Sequence, residues 1–402
     1  MPNTVPLSPN RLSRDAQRLI SLAHALAQSG SRLEDLYWEA LLGAQLNKLL
    51  QGKKNGILES ALDHLLAADP EAYEILIEQA ETHSESISLQ EDGVDYDVLL
   101  FSAPVAAWTR YQLPRAYPLK KIMPRLQEQL LAHIVADGAR LALLPEMVSF
   151  DQMPQSFQET LDWTQRLGRA ALKGKADATS FKPVPETEGM LADARFIVGV
   201  IAVPKGQPLF RWQLGAPDAA PSRAQCFDAW RQGSADILAP LFTGCSLEYL
   251  QPDAYYVNSR EADRRIRPLA LKAAVTWLQT AAGLPGNDLR AAIVACGESA
   301  IEEYRIGFST RQSTDVIYGC VWPVLSKEEA LSEAMDDEQA DIPEEVAALL
   351  KELGVPEVRR LPGLYAVEFC DDCGAPYFPN PLGEMMHPEL PEEINVNPVH
   401  FH

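Results

Sequence analysis

The chain has 402 residues, 47% of them apolar and 23% charged, and a formal net charge of -21. That length holds two or three compact domains with real cores, and the balance is that of a soluble globular protein. So acidic a surface repels phosphate backbones, which argues against nucleic acid as a general partner; no run approaches the roughly 20 apolar residues a transmembrane helix needs, and the polar residues 1–14 lack the apolar core of a secretory signal.

Residues 1–12 read as a loose arm. Ser13 can cap a helix running to residue 28, with Leu19, Leu22, Ala23, Leu26 and Ala27 on one face and Gly30 as its stop. Ser31 and Glu34 are spaced as a capping box for a second helix carrying Leu36, Leu41, Leu42, Leu46 and Leu49. After a break at 52–56, shorter helices are expected at 57–67 and 70–82. Asp69 is the N-cap of the second and Pro70 lies in its first turn.

The remainder reads as α/β (or α+β), and a unit in it occurs twice. In the first copy an apolar strand at 98–101 leads to Trp108-Thr109-Arg110-Tyr111-Gln112-Leu113. In the second, a strand at 196–203 leads to Phe210-Arg211-Trp212-Gln213-Leu214. Each copy continues with a helix and a second strand ending at Pro-acid, Pro145-Glu146 and Pro252-Asp253. Each then has a helix carrying Trp-x-Gln, at Trp163 and Trp277. The shared order predicts a duplicated β-α-β-α core. A linker without apolar period, 173–189, separates the copies. Strands expected at 289–295, 304–308 and 316–324 follow, the last two as an antiparallel hairpin that closes the sheet. An acidic stretch at 327–345, a helix at 343–353 and a strand at 363–369 complete the chain. The organisation is therefore 1–90 helical module, 91–175 first α/β copy, 190–325 second copy with closing strands, and 326–402 acidic segment with a small Cys/His knuckle.

The sharpest chemical motif is Cys370-Asp371-Asp372-Cys373-Gly374. Two thiolates two residues apart can hold one metal ion, and the glycine permits a turn that aims backbone N–H groups at sulfur. Zinc takes four ligands in structural sites. No second Cys-x-x-Cys follows, but His387, His400 and His402 do, so a structural zinc site from Cys370, Cys373, His387 and His400 or His402 is the leading reading. The alternatives are a reduced, unmetallated thiol pair and a redox pair. The redox reading lacks the strand-to-helix setting that lowers a thiol pKa, and the two intervening acids are expected to raise it.

Glu146 and Asp253 are candidate catalytic carboxylates, because ligands of open α/β sheets bind beyond the carboxyl ends of strands. Helix-start or loop capping explains them more simply. Arg110 and Arg211 could clamp an anion, or simply pack against aromatic neighbours. Cys296, at a strand end before Gly297, could be a nucleophile; burial as an inert thiol is the commoner fate. Phosphate-loop, dinucleotide-fold, zinc-protease and nucleophile-elbow motifs are all missing. The six cysteines form no secreted disulfide framework, which points to the cytosol.

Two stretches resemble a domain-of-unknown-function family of bacterial, mainly beta-proteobacterial, proteins. They are Ser13-Arg14-Asp15-Ala16-Gln17-Arg18-Leu19 with Ser29 to Asp35 and Tyr37-Trp38-Glu39, and Phe369 to Pro376 with Gly383-Glu384 and His387. The resemblance implies a full-length match and a cytoplasmic bacterial protein; it carries no activity, substrate or cofactor. The function expected is a non-enzymatic binding or regulatory protein, with a protein or small molecule as partner. The alternative is a hydrolase or transferase with its site between the two copies.

Overall fold

The computed structural model describes residues 12–52, 55–109, 113, 117–175, 191–214, 220–298, 300–324 and 341–390. Most of the N-terminal arm, Arg110, most of the linker, most of the acidic stretch, His400 and His402 lie outside the described residues.

The helical module starts its helices where the caps allow. Ser13 accepts the Ala16 N–H to open α1 (Arg14–Ala27). Ser31 accepts from Glu34 N at the start of α2 (Arg32–Gln51), while Gly30 N donates back to the Glu34 carboxylate. After α3 (Asn55–Ala68), Asp69 caps α4 (Pro70–Glu85), with Pro70 supplying no N–H where none is needed. Leu19, Leu42, Leu46, Leu65 and Leu76 form the shared core, which Leu161 joins from outside the module.

A hairpin follows. β1 (Ser86–Glu91) turns through Asp92-Gly93, both with positive φ, into the 15-residue β2 (Val94–Trp108). The chain continues through α5 (Met123–His133), β3 (Arg140–Leu143) and α6 (Phe157–Leu172). Then come β4 (Ala192–Pro204), α7 (Arg223–Leu238), β5 (Ser246–Tyr249), the short β6 (Asp253–Ala254) and α8 (Tyr255–Thr280). Central β2 and β4 pair antiparallel, residues 96–108 against 192–204. Each later strand joins the other unit's long strand: β3 pairs with β4, while β5 and β6 pair with β2. Equivalent bonds mark the two crossings, Leu144 N to Val198 O at 2.8 Å and Leu250 N to Pro104 O at 3.0 Å. Successive side chains alternate faces. Phe101, Ile197 and Ile201 pack with Leu130 and Trp230, and Leu100, Phe196 and Val200 with Leu167 and Ala262. Both faces are thus apolar, which is why these strands read as unbroken hydrophobic runs.

The three strands after α8 do not close this sheet, contrary to the expectation above. β7 (Leu289–Cys296), β8 (Glu303–Thr310) and β9 (Tyr318–Pro323) build a second sheet with α9 (Ile342–Glu352) and β10 (Glu357–Tyr365). Its strand order is β10-β7-β8-β9, with β10 parallel to β7. The reason is α8. Its 26 residues carry the chain from the first sheet, where Tyr255 and Ala262 are buried, to the second, where Leu271, Val275 and Leu278 are. α8 and α9 cover one face of the second sheet, over Ile293, Ile306, Phe308 and Trp322. Against the other lies the last described segment, with β11 (Phe378–Pro379) and β12 (Met385–Met386). Among the described residues no helix is long and apolar enough to cross a membrane.

Candidate metal centre

A narrow hairpin carries the Cys-x-x-Cys. Tyr377 N donates to Glu368 O, Phe369 bridges Pro376, and Cys370 N donates to Ala375 O at 2.8 Å. Gly374 closes the tip: its φ of 72° is left-handed, and its N–H reaches Cys370 O at 2.8 Å. Only glycine adopts that φ without cost.

This turn directs the N–H groups of Cys373 and Asp372 at the Cys370 sulfur, and these pull the Cys370 thiol below its ordinary value. The Cys373 and Tyr377 side chains also hydrogen-bond that sulfur. The expectation that Asp371 and Asp372 would raise the Cys370 thiol pKa is thereby reversed. A backbone donor in contact with sulfur outweighs a carboxylate that points into water.

The third ligand is brought back by the β11–β12 turn. Asn380 is 1% exposed. Its Oδ1 accepts the N–H groups of Leu382 and Glu384, and its Nδ2 donates to the Glu384 carboxylate. The chain reverses there and places His387 directly after β12. His387 Nε2 stands 3.1 Å from Cys373 Sγ. Its Nδ1 lies 3.5 Å from a Glu389 carboxylate oxygen, ion-pair reach rather than a formed hydrogen bond. The ligating atoms of Cys370, Cys373 and His387 all fall within 4.8 Å of one another. Two ligands on one tetrahedral zinc stand roughly 3.5–3.8 Å apart, so only small side-chain rotations separate this trio from coordination. The donor set, two thiols and an imidazole on a compact turn, suits zinc. Glu389 is placed as the outer carboxylate that fixes a ligand histidine's tautomer.

The hairpin is held from below by Arg305 on β8, a fully buried residue (0% exposed). Its Nη1 donates to the carbonyls of Glu368 (2.6 Å) and Tyr377 (2.8 Å), one on each arm of the hairpin, and its Nε to Glu303 at 2.7 Å. The guanidinium also lies 5.1 Å from the Phe369 ring. Beside it, Gly307 on β8 faces Gly319 on β9 across the strands. A Cβ on Gly307 would collide with the Pro379 carbonyl, and one on Gly319 with the Phe378 ring. The paired glycines form the notch in which β11 lies. Sequence reasoning missed Arg305, although an arginine inside an otherwise apolar strand was a readable signal.

The other candidates are spread out. Asp253 pairs with Arg223 on α7, and its Oδ1 accepts the Ala254 N–H at 2.8 Å. Glu146 bridges Pro118 on the far side of the central strands. β2 and β4 lie between β6, which carries Asp253, and β3, which Glu146 follows. Arg211 bonds the Leu131 carbonyl and Asp137. Trp212 stacks on Phe210 at 4.4 Å and lies under Arg223. Burial pushes the fully enclosed Cys296 thiol up to about 11, which leaves it protonated and inert at neutral pH. An open groove of about 810 Å³ runs along β1 where the helical module meets α6, lined by Asn47, Gln51, His83, Gln165 and Arg169.

The chain belongs to the DUF2863 family, described as a protein of unknown function, which it matches over residues 5–401. No curated protein and no solved structure matches it.

Proposed function

We propose that this chain is a non-enzymatic binding or regulatory protein whose C-terminal knuckle holds one structural zinc ion. The observation that carries the zinc reading is the convergence of Cys370, Cys373 and His387 within 4.8 Å. Two elements separated in sequence meet there. His400 is the proposed fourth ligand, with His402 as its neighbour in line. The lowered Cys370 thiol suits metal binding and thiol exchange alike; the arrival of His387 at the pair favours the metal.

The binding role is supported by the helical module, by the absent catalytic motifs, and by an acidic chain suited to a basic protein partner or a small molecule rather than nucleic acid. Free thiols at all described cysteines fit a reducing compartment, so we place the protein in the cytoplasm. We further read the two β-α-β-α units as a duplication, supported by the reciprocal crossing of β3 and β5. The separate placements of Glu146 and Asp253 lend no support to a hydrolase or transferase site built on both.

The test is metal content by mass spectrometry on untagged protein purified without chelator, beside Cys370→Ser. About one zinc per chain is expected, lost in the variant. Metal-free wild-type protein would sink the reading.

A further inference from the structure

Given the metal centre proposed above, on which this inference rests, we propose that zinc locks residues 366–390 as a strap across the second sheet, with Arg305 as its catch. Two observations independent of the ligands carry it. The first is the Arg305 guanidinium, which holds both arms of the ligand hairpin through the Glu368 and Tyr377 carbonyls. The second is the Gly307–Gly319 notch, which seats Phe378 and Pro379.

The face beneath is a poor surface for an apolar core. β7 and β8 turn Val294, Cys296, Glu303, Arg305 and Gly307 to that side, in register with one another. Burying the Arg305 guanidinium strips it of water, a cost recovered only while its bonds hold. The strap buries one short apolar patch, Phe378 to Pro381, while Phe369 and Leu382 are 52% and 64% exposed. Its remaining ties are polar, Arg359 to the Pro381 carbonyl at 2.6 Å and Glu389 N to Val316 O at 2.8 Å. A segment anchored at one short apolar patch and otherwise by hydrogen bonds is the kind of element that opens locally. The zinc ion closes the loop between Cys370 and His387 and so opposes that opening; conversely, each Arg305 bond that orients the hairpin strengthens zinc binding. Opening uncovers Cys296 and the Arg305–Glu303 pair beside it. Zinc occupancy is thereby a switch on access to this face.

Cys296 reports the state. In full-length zinc-loaded protein it should resist N-ethylmaleimide. After chelation its alkylation, followed by peptide mass mapping, should accelerate by at least about tenfold as the strap opens. Cys226, buried against the first sheet, should stay protected, which separates strap release from global unfolding. Arg305→Lys keeps the charge but cannot span both carbonyls and Glu303; it should weaken zinc affinity by about 10- to 100-fold while leaving the absorption spectrum of the cobalt-substituted site unchanged. Equal protection of Cys296 with and without zinc would overturn the switch, and so would Arg305→Lys protein with wild-type affinity. If that variant fails to fold, the chelation experiment on wild-type protein still decides. Wild-type protein that binds no zinc sinks the metal reading and the switch together; zinc binding without a change at Cys296 sinks the switch alone.

Discussion

The two sheets solve the same problem by different means. The six-stranded sheet is covered on both faces by amphipathic helices, and its central residues Phe101, Phe196, Val198 and Ile201 are 0% exposed. The four-stranded sheet has such a cover on one face only. On the other, a short apolar patch around Phe378 is supplemented by one arginine, a pair of glycines and a proposed metal ion. Non-directional burial tolerates imperfect geometry, whereas a few directional bonds do not. On the proposed reading, the first sheet is built to be permanent and the second to respond.

The comparison is broken most directly in the first sheet. Phe196→Ala removes a fully buried ring that packs edge-on to Phe150 at 4.8 Å. It should destabilise the chain by about 3–5 kcal/mol in urea unfolding, and chelator should leave that difference unchanged. On the second sheet, Gly307→Val fills the notch under Pro379. A loss of about 1–3 kcal/mol is expected from overpacking, together with weaker zinc retention in equilibrium dialysis. Unchanged zinc retention would separate the notch from the knuckle.

A third test lies where the helical module meets the first sheet. Glu85, at the end of α4, accepts the Tyr256 N–H at 2.9 Å and so caps α8 from another element. Burial nevertheless pushes its carboxyl up to about 7, with Glu81 adding to the rise and Arg260 opposing it. The folded state thus holds a proton that the unfolded chain releases near pH 4.5. By linkage, stability falls as pH rises from that value through about 7. Glu85→Gln keeps an acceptor for Tyr256 without the charge. It should be the more stable protein at pH 8, by of order 1 kcal/mol, with the advantage gone at pH 4 in paired thermal melts. The smallest effect is expected at Leu382, which is 64% exposed on the strap. Leu382→Ser should shift stability by less than about 0.5 kcal/mol and leave metal content intact.

Local chemistry was legible at the helix starts and at the knuckle tip. Ser13, Ser31 and Asp69 each cap as their spacing foretold, because a cap is decided within four residues. Gly374 takes the left-handed turn expected of a glycine after Cys-x-x-Cys. The strand reading passed over one local signal, Asp92-Gly93, a strong hairpin dipeptide that joins β1 to β2. The start of α8 has no such local signal. Tyr255, Tyr256 and Asn258 carry no side-chain N-cap of their own, since the Tyr256 N–H is satisfied from α4 by Glu85.

The sequence by itself determined which segments are helix and strand over most of the chain, where several of them begin, and that two thiols could share one ion. Those properties depend on neighbours within a turn or two of backbone. Tertiary structure decided that β3 and β5 exchange partners, that β7 to β9 leave the first sheet, that Glu146 and Asp253 stand apart, and that Arg305 lies under the ligand hairpin. Each of these depends on strand register across long sequence separations. Register is set by the summed packing of whole faces, and no short stretch of this chain contains that sum.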